Sequence, residues 1–244
     1  MHIVANDLRR DSRRRTGVVG QLLVSLLPVL RSDGQRPAVL DCGGGSGTFA
    51  VPLAQAGADV TVVDISIDAL ATLNRRAVEA GVADHVFALQ GDLENHFDVL
   101  SGRSFELVLA HGILEVLDEP AAAFDVMAAV LAPGGLLSVL VTNPAAGVLN
   151  RALSGDVQAA ARDLADLDDR EARVGPASIR ELCAHRGLVI ESVQGVGVFT
   201  ELIPGAALDA PGAREALAEL EAASAVRSPF TEIAARQHLL ARRQ

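Results

Sequence analysis

The 244-residue chain has no tryptophan, no tyrosine and no lysine. Aromatics make up 3% of it and hydrophobic residues 50%, so its core must be built from Leu, Val, Ile and Ala. All 21 basic residues are arginine. Two cysteines, Cys42 and Cys183, exclude a disulfide framework. Cys42 stands beside a glycine turn, where a small buried residue is the expected role. Long apolar runs are missing too. Val18 to Leu30 is too short to span a bilayer and contains Pro28. The basic amino terminus is not followed by a secretion-type cleavage site. The expectation is a cytoplasmic protein with no membrane partner. A net charge of -10 gives no general attraction to nucleic acid. The basic cluster Arg9, Arg10, Arg13, Arg14 and Arg15 reads first as a solvated arm and second as a binding patch.

What is present is an alternation of short apolar runs and helical patterns. Residues 16–31 carry apolar residues at helical spacing. Ala38 to Leu40 reads as a buried strand, Ser46 to Ala56 as a helix, and Val60 to Val63 as a second strand ending in Asp64. Ser66 caps a helix to Ala80. Strands follow at Val86–Leu89 and Phe105–Ala110, then a helix at Ala121–Leu131. The turn Pro133-Gly134-Gly135 precedes a strand at Leu136–Val141. Residues 145–173 look helical, and Pro176 starts a helix that ends near His185. Leu188 to Phe199 reads as a long strand. Pro211 to Arg227 reads as a helix burying Leu217 and Leu220, and His238–Ala241 as a last strand. This order predicts an α/β fold, a Rossmann-like three-layer sandwich. Its sheet is mostly parallel and seven-stranded, with an antiparallel edge hairpin. The whole chain, 1–244, reads as one domain. Residues 1–34 form a basic arm and helix, and 144–186 a helical insertion expected to cover the acceptor pocket.

The chemistry begins at Asp41-Cys42-Gly43-Gly44-Gly45-Ser46-Gly47. Glycines let a ligand approach the backbone, and the helix after them presents free amides. Such a turn suits a dinucleotide pyrophosphate. It suits the amino-acid end of S-adenosylmethionine equally well. Gly45-Ser46-Gly47-Thr48-Phe49-Ala50 even satisfies the dinucleotide spacing. Asp64, at the end of the second strand, is placed to accept ribose hydroxyls of either cofactor.

Further segments separate the two. Val39 to Gly47, Asp64, Asp92 with Leu93, the run His111-Gly112-Ile113-Leu114-Glu115-Val116, and the turn Leu131 to Leu136 stand in the order of a known pattern. At these residues the sequence resembles a class I S-adenosylmethionine-dependent methyltransferase. The resemblance implies S-adenosylmethionine as cofactor and S-adenosylhomocysteine as product. It implies a cofactor site formed by Asp41, Gly43, Gly44, Gly45, Gly47, Asp64, Ile65, Asp92, Leu93 and His111. A narrower resemblance joins Gly20-Gln21-Leu22, the His111 run, Thr142-Asn143, Gly195 to Phe199 and Leu217 to Glu221. These look similar to the bacterial tRNA 5-carboxymethoxyuridine carboxyl methyltransferase family. Three departures stand against it. That family has an Arg where this chain has Leu23 and a Tyr where it has Thr142. Its basic insertion is replaced by the acidic Asp163 to Asp169. Phosphate contacts need positive charge.

The expected function is methyl transfer to an oxygen or nitrogen of a small-molecule acceptor, with a tRNA nucleoside as the alternative. Two readings of another kind are a nicotinamide-dependent oxidoreductase and a non-catalytic cofactor-binding protein. His111, after the fourth strand, is the candidate general base and equally a candidate cofactor contact. Glu115 lies one helical turn on and reads chiefly as a solvated carboxylate. His85, His96, His185 and His238 lack metal-ligand spacing, and no metal is expected. The oligomeric state is not legible.

Overall fold

The computed structural model describes residues 17–30, 34–93, 100 and 102–244. The cluster Arg9 to Arg15 and His96 lie outside these. Contacts group the chain into two compact units. One runs to Val139 and takes back Ala241–Gln244; the other is Leu140–Leu240.

In the first unit, helix α1 (Gly17–Leu30) buries Val19, Leu23, Leu27 and Leu30, a stripe at helical spacing. Leu23, which stands where the tRNA-acting pattern has Arg, is fully buried. Then come β1 (Ala38–Cys42), α2 (Ala50–Gln55), β2 (Asp59–Asp64), α3 (Ile67–Glu79), β3 (Val86–Gln90), β4 (Phe105–His111), α4 (Pro120–Ala129) and β5 (Leu131–Thr142). Ser66 caps α3 as expected, its hydroxyl oxygen accepting from the Ala69 amide at 3.2 Å.

Two boundaries differ from expectation. The helix expected from Ser46 begins only at Ala50. Gly47 has φ 77, a left-handed conformation that no α-helix admits. The Pro133-Gly134-Gly135 turn lies inside β5 rather than before it. Gly134, at φ 75, lets the strand take an irregular residue without ending. The Arg242 guanidinium donates to its carbonyl at 2.7 Å.

The sheet has seven strands in the order β3-β2-β1-β4-β5-β7-β6, mostly parallel with the late hairpin at one edge. β1 pairs in parallel with β2 on one side and β4 on the other. Beneath the amino ends of β1 and β2, the Asp59 carboxylate accepts from Arg36 Nε at 2.9 Å and meets His85 Nδ1 at 2.8 Å. Arg36 also donates to the carbonyls of Ala54 and Ala58. His85 is thus a structural partner of Asp59.

The second unit holds α5 (Pro144–Leu153), α6 (Val157–Ala165), α7 (Leu167–Val174), α8 (Pro176–His185), β6 (Leu188–Val196), α9 (Ala213–Ser224), α10 (Phe230–Ile233) and most of β7 (Arg236–Arg243). Asn143 opens α5: its side-chain oxygen accepts from the Ala145 amide, and its Nδ2 donates to the carbonyls of Glu232 and Ala234. In the acidic insertion Asp163 pairs with Arg151 and Arg170.

β6 ends at Val196, short of the expected Phe199. The Glu221 carboxylate accepts from the amides of Val198, Phe199 and Thr200 and from the Thr200 hydroxyl. Those donors are therefore lost to a strand ladder. The same contact corrects the buried face of α9. Leu217 is buried but Leu220 is exposed, because the inward stripe runs through Leu217, Glu221 and Ser224.

His238, on β7, is wholly buried, and burial lowers its pKa from 6.5 to about 4. The folded chain keeps this imidazole neutral, while the unfolded chain protonates it below pH 6.5. Its contribution to stability is therefore complete above pH 6.5 and lost as pH falls toward 4. A His238→Gln variant is expected to show a flatter fall of Tm across that window than the parent. An unchanged slope in thermal melts would refute the assignment.

Candidate functional site

Three parallel strands end side by side. The register pairs Cys42 with Val63 and Cys42 with Ala110. Asp41-Cys42, Val63-Asp64 and Ala110-His111 therefore meet at the carboxyl edge. The strand order reverses at β1, with β2 and β3 to one side and β4 and β5 to the other. Such a switch point opens a crevice in an α/β sheet.

The glycine turn fills that crevice's floor. The Gly43 amide donates to the Val63 carbonyl at 2.8 Å, and the Gly47 amide to the Gly44 carbonyl at 2.9 Å. A Cβ on Gly43 would stand 2.7 Å from Ile113 Cδ1, so the segment after β4 is pressed onto the turn. A Cβ on Gly44 would stand 2.5 Å from Asp41 Oδ2 and 2.9 Å from Val62 Cγ1. A Cβ on Gly47 would stand 2.2 Å from Leu73 Cδ1. Arg76, from α3, donates to the Ser46 carbonyl at 2.7 Å and ties the turn's far side.

Two carboxylates serve the turn. Asp64 Oδ2 accepts from the Gly45 amide and Oδ1 from the Ser66 amide, each at 2.8 Å. Each oxygen has a second lone pair for a ligand hydroxyl. Asp41 is 2% exposed, and its Oδ2 has no hydrogen-bond partner. Burial first, and the Asp64 charge second, raise its pKa to about 7. A buried acid under the turn whose Oδ2 has no partner is better matched to a cationic amine than to a pyrophosphate. That distinguishes the two cofactors that the glycine spacing alone admits. Burial and Asp41 also push the Cys42 thiol far up, so it stays a neutral filler.

The remaining expected residues fall around this centre. Ile65, next to Asp64, is 70% exposed and offers an apolar surface. The Gly91 amide donates to the Asp64 carbonyl at 3.2 Å, which brings the start of the Asp92-Leu93 segment beside β2. The Leu93 side chain itself is buried. His111 is half-buried, with Nε2 2.8 Å from Ser138 Oγ and its ring 4.4 Å from the Phe49 ring, edge to face. Glu115 lies in a single 3₁₀ turn, Leu114–Val116, not on an α-helix, so it shares no helical face with His111. Among the described residues no group of three or more His, Cys, Asp or Glu is gathered for a metal.

Ser138 and Phe49 are the residues that sequence reasoning missed. Ser138 had a signal: it is the lone polar residue in the apolar run Leu136 to Val141 and is fully buried.

Residues 39–135 match the family model described as a methyltransferase domain. Curated relatives of this chain include proteins of two kinds. One is the tRNA 5-carboxymethoxyuridine methyltransferase of Escherichia coli, 28% identical over 125 residues, half of this chain and 46% of that protein. The other is the ubiquinone biosynthesis O-methyltransferase of Pectobacterium atrosepticum, 35% identical over 97 residues, 40% of this chain and 39% of that protein. The chain thus spans less than half the length of these relatives. Among solved structures, the magnesium protoporphyrin IX methyltransferase of Synechocystis with bound SAH superposes at a TM-score of 0.62. It covers 99% of this chain and 87% of that one, at 18% identity, a likeness in fold.

Asp41 carries the first test. Its pKa is raised in the folded chain, so the ligand-free protein is favoured at low pH and loses stability as pH rises from 3.8 to about 7. Asp41→Asn is expected to raise the Tm of the ligand-free protein at pH 8, while weakening S-adenosylhomocysteine. A lower Tm at that pH would contradict the reading. Gly47→Ala is expected to lower Tm at every pH, because Leu73 and the positive φ both resist a Cβ.

Proposed function

We propose that the chain is an S-adenosylmethionine-dependent methyltransferase that acts on an oxygen or nitrogen of a small-molecule acceptor. The observation that carries this reading is the buried Asp41 carboxyl beneath the glycine turn, one strand from Asp64, with its Oδ2 unpartnered. The residues fit the cofactor. Asp41 and the bare surface of Gly43 and Gly44 would hold the ammonium end, Asp64 the ribose hydroxyls, and Ile65 and Asp92 the adenine. When bound, S-adenosylmethionine supplies a methyl group already activated on a sulfonium. The chain's own work is alignment and exclusion of water, which contributes roughly 7–11 kcal/mol in well-oriented reactions.

His111 would take the proton of a hydroxyl acceptor. Its Nε2 faces Ser138, and Phe49 limits its tilt. A carboxylate acceptor would need no base, and His111 would then serve as a cofactor contact. Ser138→Ala is expected to shift the pH–rate profile and lower kcat several-fold, with little change in S-adenosylhomocysteine affinity. An unchanged profile would remove Ser138 from the site.

A second reading, carboxyl methylation of a modified uridine in tRNA, is favoured by the similarity to the Escherichia coli enzyme. Against it stand the net charge of -10, the buried Leu23 and the acidic insertion. An oxidoreductase reading is opposed by Asp41, whose charge would face a pyrophosphate.

Calorimetric titration with S-adenosylhomocysteine is expected to give clear saturation, weakened strongly by Asp64→Ala. Saturation by NADH in its place would overturn the cofactor assignment. Transfer of labelled methyl from S-adenosylmethionine is expected into a metabolite extract. Label entering bulk tRNA would establish the second reading.

A further inference from the structure

The glycine turn has few side chains of its own to hold it. Four of the five residues from Gly43 to Gly47 are glycine, and Gly43, Gly45 and Gly47 have positive φ. Glycine loses more conformational freedom on ordering than any other residue. A turn of this composition presents its backbone to a ligand in one shape only if groups outside it fix its peptide planes.

Two planes are fixed, each at both ends. In the Gly44–Gly45 peptide, the carbonyl accepts from the Gly47 amide at 2.9 Å and the amide donates to Asp64 Oδ2 at 2.8 Å. In the Ser46–Gly47 peptide, the amide makes that same bond to Gly44, and the carbonyl accepts from Arg76 Nη1 at 2.7 Å. The Gly47–Gly44 bond is common to both planes, so they are tied to Asp64 on one side and to Arg76 on the other. Arg76 stands in the last turn of α3, and its Nη1 also lies 3.4 Å from Ser46 Oγ. Three residues earlier on the same helix, Leu73 Cδ1 blocks the place of a Gly47 Cβ. Helix α3 thus sets an apolar side chain and a cation against the same two residues of the turn. A guanidinium on a carbonyl is a charge-assisted bond, stronger than a neutral one. The adjacent Arg75 serves elsewhere: it is exposed and donates to Glu79 at 2.7 Å.

We propose that Arg76 is a positioning residue for the cofactor: by holding the Ser46 carbonyl it sets the turn in the shape that receives the amino-acid end of S-adenosylmethionine. The inference rests on the methyltransferase reading. In this role Arg76 acts through the backbone of the turn. Without it, Asp64 keeps its own hold on the Gly45 and Ser66 amides, and the ribose side stays in place. The Ser46–Gly47 plane, by contrast, loses its anchor. The two ends of the cofactor therefore respond differently, which a loosening of the whole fold would not produce.

The test is calorimetric titration of the full chain with two ligands. One is S-adenosylhomocysteine; the other is 5′-methylthioadenosine, which has the same nucleoside and no amino-acid end. Arg76→Met keeps an apolar stem and removes the donors. It is expected to weaken S-adenosylhomocysteine about tenfold and to leave 5′-methylthioadenosine unchanged. Arg76→Lys restores a donor and is expected to recover part of the loss. Arg75→Ala is expected to change neither affinity. In the ligand-free, isotopically labelled chain, Arg76→Met is expected to shift the amide signals of Gly45 and Gly47. Parent-like S-adenosylhomocysteine affinity in Arg76→Met overturns the proposal. So does an equal loss for both ligands, the mark of general loosening, or an equal loss in Arg75→Ala, the mark of net charge alone. Arg76→Leu takes the place of Arg76→Met under the same criteria if the latter fails to fold. If S-adenosylhomocysteine does not bind the parent chain, the methyltransferase reading falls and this proposal with it; a parent that binds beside an unaffected variant removes Arg76 alone.

Discussion

One buried carboxylate organises the carboxyl edge of this sheet. Asp41 has left water without acquiring a hydrogen-bond partner for Oδ2, and the Asp64 charge adds to its cost. The glycine turn is shaped around it: Gly44 is bare because the carboxylate occupies the place of its Cβ. The turn in turn holds Ile113, and so the segment that follows His111. Packing is thus arranged about an unfavourable charge, and a cationic ligand relieves what folding alone leaves unpaid.

The opposite edge is built in the other sense. There Asp59 is shared between Arg36 and His85, and Arg36 also satisfies two carbonyls. The amino ends of the strands are electrostatically closed, whereas the carboxyl ends are electrostatically open. The first arrangement holds β1 and β2 in place. The second leaves the crevice receptive.

The strands β1 to β5 and their helices were legible because buried parallel strands are continuous apolar runs and the punctuation is strong. The expected cofactor residues stand out in the sequence because glycines and acids fall at strand ends. Most of the misreadings come from contacts made at a distance in sequence. Glu221 withdraws the amides after Val196 and ends β6 early, and it takes the inward position that Leu220 was given. Gly47 delays the helix to Ala50 through its backbone angle. Ser138 and Phe49 escaped because their partner, His111, lies 27 residues from one and far along the chain from the other.

The Glu221 contact reaches further than the end of a strand. Three consecutive amides and a hydroxyl converging on one point form the kind of cradle in which proteins hold phosphates. Here the chain has filled its cradle with a carboxylate of its own. The loop after β6 is consequently self-sealed: it neither needs an anion to be ordered nor offers one a seat. A phosphate arriving at that loop would have to displace a tethered carboxylate already in place.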